Sequence, residues 1–203
     1  GIPVVVHDVA TKQMGKPIYV PEVAFSWFLA GTNKVKDLSN VKGGINGLGA
    51  KLANVHSCLF EIDTTDGNKK LHYFQRWRDR LDVVEPPAIT STTSLPDAQK
   101  KPHVKVSFLP AYKELGYATV LNPADWRDID AWLRLRAHQA SAYVGSKITV
   151  TYNNQRVSTT DASGLAKLLL TLLPPEEIPN ALILPGIAKA TTEPYKQYPW
   201  NLA

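Results

Sequence analysis

In Lys42-Gly43-Gly44-Ile45-Asn46-Gly47-Leu48-Gly49-Ala50-Lys51-Leu52, four glycines fall within seven positions. The run passes directly into Ala50-Lys51-Leu52-Ala53-Asn54-Val55, which reads as the first turns of a helix. Glycine lets a backbone take positive φ and lets another group approach closely. A glycine-rich loop feeding a helix aims several free N–H groups, and the positive end of the helix dipole, at one spot. Such a spot suits a phosphate, and Lys51 in the first turn places an ammonium within reach of the same anion.

Spacing separates the known glycine loops. A P-loop needs Gly-x-x-x-x-Gly-Lys-Ser/Thr; here Ala50 separates Gly49 from Lys51, and Leu52 stands where the hydroxyl belongs. A dinucleotide fingerprint follows a buried strand directly, whereas Asn33 to Lys42 is a charged loop. What remains is Gly44-x-x-Gly47-x-Gly49, which resembles the lid-and-helix pattern of the ATPases that include gyrase, Hsp90, histidine kinases and MutL. A loop that merely starts a helix is the competing reading of this run taken alone.

Its neighbours extend the resemblance. Gly-Gly-x-Asn-Gly-x-Gly-Ala-Lys-Leu-x-Asn is followed by Ser57 and an extended Phe60-Glu61, and preceded by Gly1-Ile2-Pro3, Tyr19-Val20-Pro21-Glu22 and Gly31-Thr32-Asn33. Glu85-Pro86-Pro87 with Ile89, and Ala142-Tyr143-Val144-Gly145, follow downstream. In this order the motifs resemble the ATP-binding region of type IIA DNA topoisomerases. The variants Val-Pro-Glu-Val, Leu-Ala-Gly-Thr-Asn, Val-His-Ser and Glu-Leu-Gly-Tyr-Ala are most similar to the branch found in African swine fever virus and other large DNA viruses.

The resemblance implies an α/β two-layer sandwich of the gyrase/Hsp90 (GHKL) class, a mixed sheet with helices on one face, present here as a partial domain. It implies the C-terminal part of the ATPase domain over residues 1–178, and a linker with the start of the transducer domain over 179–203. Its cofactors would be ATP and Mg2+. Its partners would be double-stranded DNA and a second copy of the chain, in a homodimer that closes on Mg-ATP and passes one duplex through a break in another. The nucleotide contacts would come from Gly31, Thr32 and Asn33 in the lid, and from Gly44, Ile45, Asn46, Gly47, Leu48, Gly49, Ala50 and Lys51. Asn46 would hydrogen-bond the phosphates and Lys51 would offset their charge. Where the family has Arg, Tyr and Thr, this chain has Ile45, Leu48 and Val104, and none of these can make the corresponding polar contact. The family's general base and magnesium ligand would precede Gly1, and its γ-phosphate-sensing lysine would follow Ala203, so the chain offers no catalytic residue and is expected to be inactive alone.

Composition bounds these readings. The 203 residues suffice for one sizeable core, and 44% apolar against 20% charged residues is ordinary for a globular domain. No apolar run is long enough to span a membrane and no signal peptide is visible, so a soluble intracellular protein is expected, nuclear or at a viral replication site in host cytoplasm. The lone Cys58 forms no internal disulfide and reads as a small core residue. A net charge of +5 permits contact with DNA without requiring it. The glycine start, the lone Met14 and the final Pro199-Trp200-Asn201-Leu202-Ala203 predict an excerpt of a longer polypeptide.

Taken in order, Val4-Val5-Val6 predicts a short strand. Pro21 predicts a helix start, and Val23, Phe25, Trp27, Phe28 and Leu29 a buried helix running to about Ala30. Leu59–Thr65 and Lys70–Arg80 predict a hairpin turned at Asp66-Gly67-Asn68. Arg76, Arg78 and Arg80 alternate on it, as a solvated face or, alternatively, a DNA contact. Glu85 to Pro102 reads as a loop, and Val104, Val106 and Phe108 as a strand with one buried face. Asn122-Pro123 predicts a capped helix with an apolar stripe of Ile129, Leu133, Ala137, Ala140 and Val144, stopped by Gly145. Ile148 to Val157 predicts a hairpin through Asn153-Asn154, and Thr160 or Asp161 caps a last helix. The five histidines show no pair at metal-ligand spacing. Another ATPase of the same fold, MutL-like or chaperone-like, and a non-hydrolysing DNA- or protein-binding module remain as alternatives.

Overall fold

The computed structural model describes residues 1–30, 47–118 and 121–171, together with the backbone of 186–189 and 199–202. Two compact units result, Gly1–Val120 and Leu121–Ala203.

The first unit is built on β1 (Ser57–Asp66), which pairs antiparallel with β2 (Leu71–Arg78) on one edge and with β5 (His103–Pro110) on the other. The far edge of β2 carries β3 (Val83–Val84) beside Trp77 and β4 (Ala88–Ser91) beside Leu71–Phe74. Every pairing among these described strands is antiparallel. The stretch 85–102 is therefore more than a loop. It holds β4, a 3-10 turn at Thr92–Ser94 and the short α4 (Asp97–Lys100), because the β-prone Ala88-Ile89-Thr90-Ser91 sits after Pro86-Pro87 and finds an open strand edge.

Alternation along β1 and β2 sends Phe60, Ile62, Tyr73 and Trp77 to one face, where with Val4 they form the core. Helices α2 (Val20–Ser26) and α3 (Gly49–Val55) cover that face: Phe25 lies 5.9 Å from Phe60, and Ala53 packs on the same cluster. Pro21 sits in the first turn of α2, as its fixed φ allows. The helix is shorter than the apolar run predicts. Trp27 turns extended and Leu29 takes φ 58°, so Phe28 is 47% exposed and Trp27 only borders the second cluster of Ala10, Ile18 and Val23. That cluster rests on α1 (Asp8–Met14), which hydropathy alone did not reveal; the signals were Asp8 in its first turn and Gly15 at φ 66°, closing the helix onto the Thr11 carbonyl. Val4-Val5-Val6 makes a single bridge, Val6 to Tyr19, rather than a strand.

Two expectations for the strands change. Val104, Val106 and Phe108 do share one face, the core face, yet they are 46%, 40% and 53% exposed on β5, the edge strand of the described sheet. The Arg76, Arg78 and Arg80 series ends early: the strand stops at Arg78, and Asp79, Arg80 and Leu81 all take positive φ. Each guanidinium meets a carboxylate, Arg76 with Glu61 at 2.6 Å, Arg78 with Glu85 at 2.7 Å and Arg80 with Glu114 at 3.4 Å. Cys58, read as a core residue, is exposed.

The second unit follows its local signals closely. Asn122 and Asp125 form a reciprocal capping box at the start of α5 (Pro123–Val144), and Gly145 ends it. Ser141 is the only buried residue on this helix, so the predicted apolar stripe is largely uncovered, with Leu133 50% exposed. β6 (Thr151–Tyr152) and β7 (Gln155–Arg156) are joined by Asn153 and Asn154 at φ 48° and 61°, values that asparagine tolerates. Asp161 caps α6 (Ala162–Leu170) through the Gly164 N–H at 2.6 Å. β8 (Gly186–Lys189) and β9 (Pro199–Leu202) pair antiparallel.

Asp66 ties the N-terminal stretch to the β1–β2 turn. Its carboxylate accepts the Val4 N–H at 2.9 Å through Oδ2, and the Asn68 and Lys69 N–H groups at 2.9 and 3.1 Å through Oδ1. Burial favours the neutral acid, but the three N–H bonds and the Lys69 charge outweigh it and hold the carboxyl below its ordinary value. A depressed folded-state pKa contributes stability above the unfolded value near 3.8 and loses it as pH falls through the folded one. Asp66→Asn, which turns an amide N–H toward one of those donors, should cost about 1–3 kcal/mol at pH 7 by urea denaturation. That deficit should shrink below about pH 4, and a deficit unchanged down to strong acid would contradict the role given to the carboxylate.

Candidate functional site

The glycine run meets the described structure at Gly47. This residue has φ 59°, in the left-handed region, and Gly49 opens α3. Leu48 is the N-cap and supplies no side-chain acceptor, so no side chain of the cap occupies the first-turn N–H groups of α3. A Cβ added at Gly49 would meet none of the described residues within 4 Å, and Ala50 is exposed beside it. The open space above the first turn is what a ligand approaching the backbone requires.

Lys51 departs from the sequence reading in its burial. It was expected as an exposed side chain and is only 5% exposed. Burial lowers its pKa from the ordinary lysine value. Among the described residues no carboxylate lies within ion-pair distance of it. A lysine held this way, with no carboxylate partner among the described residues, is a candidate for receiving an anion. Asn54, one turn on, donates from Nδ2 to the Phe25 carbonyl at 3.1 Å, leaving its buried Oδ1 with no partner among the described residues. Gly31, Thr32, Asn33, Gly44, Ile45 and Asn46 lie outside the described residues, so the structure brings together Gly47, Leu48, Gly49, Ala50 and Lys51 of the predicted set. Val104 is on the exposed part of the core face and carries no polar atom.

Beside this end of the sheet runs a buried polar relay absent from the sequence reading. Tyr73 donates its hydroxyl to Gln75 Oε1, and Gln75 Nε2 donates to Glu22 Oε2 at 3.1 Å and to the Glu85 carbonyl at 3.0 Å. Burial, together with the charge of Glu22, pushes the Tyr73 phenol far above its usual range. The only sequence signal for the relay was a polar Gln75 at a core-facing position of β2. Its partners come from α2 and the loop after β3, and no local pattern links them.

No protein-family model matches the chain. Over all 203 residues it is 40% identical to DNA topoisomerase 2 of African swine fever virus, in both the Pig/Kenya/KEN-50/1950 isolate and the Badajoz 1971 strain. It is 33% identical to DNA topoisomerase 2 of Saccharomyces cerevisiae over 144 residues, 71% of this chain and 9% of that protein. The crystal structure of the ATPase region of Saccharomyces cerevisiae topoisomerase II superposes with a TM-score of 0.68 and 30% identity, covering 85% of this chain and 41% of that one.

This chain belongs to the topoisomerase II ATPase region. Its fold is the GHKL fold expected from the motif order, and its relatives include viral enzymes. The chain spans 16% of the length of the African swine fever virus topoisomerases it matches. Among the described residues, no helix is long and apolar enough to cross a membrane.

The glycine geometry sets what each substitution does to stability. Gly47→Ala forces a side chain into positive φ and should cost about 1 kcal/mol or more. Gly49→Ala, at an open helical position, should be neutral or stabilise by up to about 1 kcal/mol. Lys51→Met removes a buried charge and keeps the volume, so its melting temperature should hold or rise. A large loss of stability in Lys51→Met would mean that the ammonium has a structural anion of its own.

Proposed function

We propose that this chain holds the triphosphate of ATP in the N-terminal clamp of a type IIA DNA topoisomerase. The observation that carries the reading is Lys51: a lysine only 5% exposed, with no carboxylate partner among the described residues, in the first turn of a helix opened by glycine. An incoming phosphate supplies the missing charge through a charge-assisted bond. The N–H groups from Gly44 to Gly49 cradle the same anion, with Asn46 as a further donor. Gly31, Thr32 and Asn33 close over it, while Ile45, Leu48 and Ala50 contribute backbone only.

In the intact protein, ATP binding would drive two copies together around double-stranded DNA, making the whole an ATP-dependent isomerase acting in a nucleus or at a viral replication site. Residues 1–178 would form the C-terminal part of the ATPase domain and 179–203 the linker into the transducer. As the family resemblance implies, the Mg2+ ligands and the general base are proposed to come from outside these 203 residues.

The test is nucleotide binding by the intact protein. Lys51→Met should weaken ATP affinity about 10- to 100-fold, the equivalent of one hydrogen bond to a charged group. Gly49→Ala should abolish binding while its melting temperature stays at the wild-type value or above. Wild-type affinity and full supercoil relaxation in both variants would overturn the phosphate cradle. The 203-residue chain alone should show no ATP hydrolysis, and Mg-dependent turnover by a clean preparation of it would show that the base lies within these residues.

A further inference from the structure

The sheet face opposite α2 and α3 carries a second constellation, made by register rather than by spacing. Thr65 on β1 is the cross-strand partner of both His72 on β2 and His103 on β5, and Asp63 lies two residues earlier on the same face. Three strands thus bring one carboxylate and two imidazoles to one point. His72 Nε2 is 2.7 Å and His103 Nε2 2.8 Å from the same oxygen, Asp63 Oδ1. The three donor atoms all lie within 4.8 Å of one another.

The orientation of His103 matters most. Its Nδ1 lies 2.8 Å from the Lys101 carbonyl oxygen. A carbonyl only accepts, so Nδ1 carries the proton, and in the neutral ring Nε2 then presents a lone pair to the carboxylate. A second proton on Nε2 satisfies that contact, and so does a metal ion bound by both atoms. A metal-binding histidine has this arrangement, with one ring nitrogen donated to a backbone carbonyl and the other bare. His72 is 8% exposed, while Asp63 and His103 remain open enough for an ion to enter.

We propose that Asp63, His72 and His103 form a site for a divalent transition-metal ion of the zinc type, with water as the fourth ligand. Two imidazoles and one carboxylate suit zinc and its borderline neighbours and disfavour magnesium or calcium, which take oxygen ligands. In a tetrahedral zinc site with bonds of about 2.0–2.2 Å, adjacent donors stand about 3.3 Å apart. The two nitrogen–oxygen spacings therefore need to open by about half an ångström, and the nitrogen–nitrogen spacing, within 4.8 Å, to settle near the same value through side-chain torsions on a fixed sheet. Bound there, the ion would clamp the edge strand β5 to β2 across β1. It is a structural site, on the face of the sheet opposite that covered by α3, and it takes no part in the nucleotide chemistry proposed above.

The experiment is titration of the full chain with zinc chloride in a non-chelating buffer, followed by calorimetry and thermal unfolding, and repeated with cobalt(II) as a spectroscopic probe. One zinc per chain at these residues, a melting temperature that rises with zinc concentration, and the intense visible bands of four-coordinate cobalt are the expected results. His103→Gln, on the exposed edge strand, and Asp63→Asn should each weaken zinc binding at least about tenfold and remove the cobalt bands, with far-UV circular dichroism confirming the fold. His138→Gln, in the second unit, should leave binding unchanged. Absence of zinc binding at about 100 μM, well above the affinity of structural zinc sites, would overturn the proposal and leave a proton as the cation. Binding that survives His103→Gln and Asp63→Asn would overturn it equally.

Discussion

β1 is hydrogen-bonded along both edges, to β2 and to β5, over almost its whole length. Its register is the constraint from which the rest of the first unit follows. Side chains alternate with period two, so a slip of one residue would send Phe60 and Ile62 to the polar face and Asp63 into the core. The pairing prevents that by matching Phe60 with Trp77 on one side and Phe108 on the other, and Asp63 with Phe74 and Lys105. Asp66 holds the register from its far end: three backbone donors converge on one carboxylate, anchoring the turn and the N-terminal stretch together.

The two faces created by this register have different chemistry. One face packs Phe60, Tyr73 and Trp77 against α2 and α3, and so positions the helix that carries Lys51. Lys51 is only 5% exposed there, and none of the described carboxylates pairs with it. The other face gathers Glu61 with Arg76, and Asp63 with His72 and His103, where pairing across strands balances charge at the surface. The arginines that alternated in sequence are occupied by Glu61, Glu85 and Glu114. Exposed pairs of this kind contribute little stability, commonly below about 1 kcal/mol. They do, however, lower the net positive charge of this face.

The sequence by itself determined the features that are written locally. The glycine run and its entry into a helix, the Asp66–Asn68 hairpin turn, the Asn122–Pro123 capped start, the Gly145 stop and the Asn153–Asn154 turn each depend on residues within a few positions of one another. Backbone geometry and short-range hydrogen bonds decide such features before tertiary contacts form. The order of the motifs, more than any one of them, pointed to the family that the comparisons then identified.

Only the tertiary structure decided what depends on distant partners. Lys51 reads as exposed on a polar loop's edge and proves buried, because α2 and the sheet close around α3. Phe28, Val104, Val106 and Phe108 read as core and are exposed, because hydropathy records a preference while burial requires a neighbour. The Glu22–Gln75–Tyr73 relay joins residues some fifty positions apart, and its partners meet only when α2 lies on the sheet. Asp63, His72 and His103 carry no linear metal-ligand spacing, yet antiparallel pairing on both edges of β1 sets them around a single oxygen atom. Local rules specify which residues turn, cap or pair, whereas the convergence of side chains from separate strands is a property of the register.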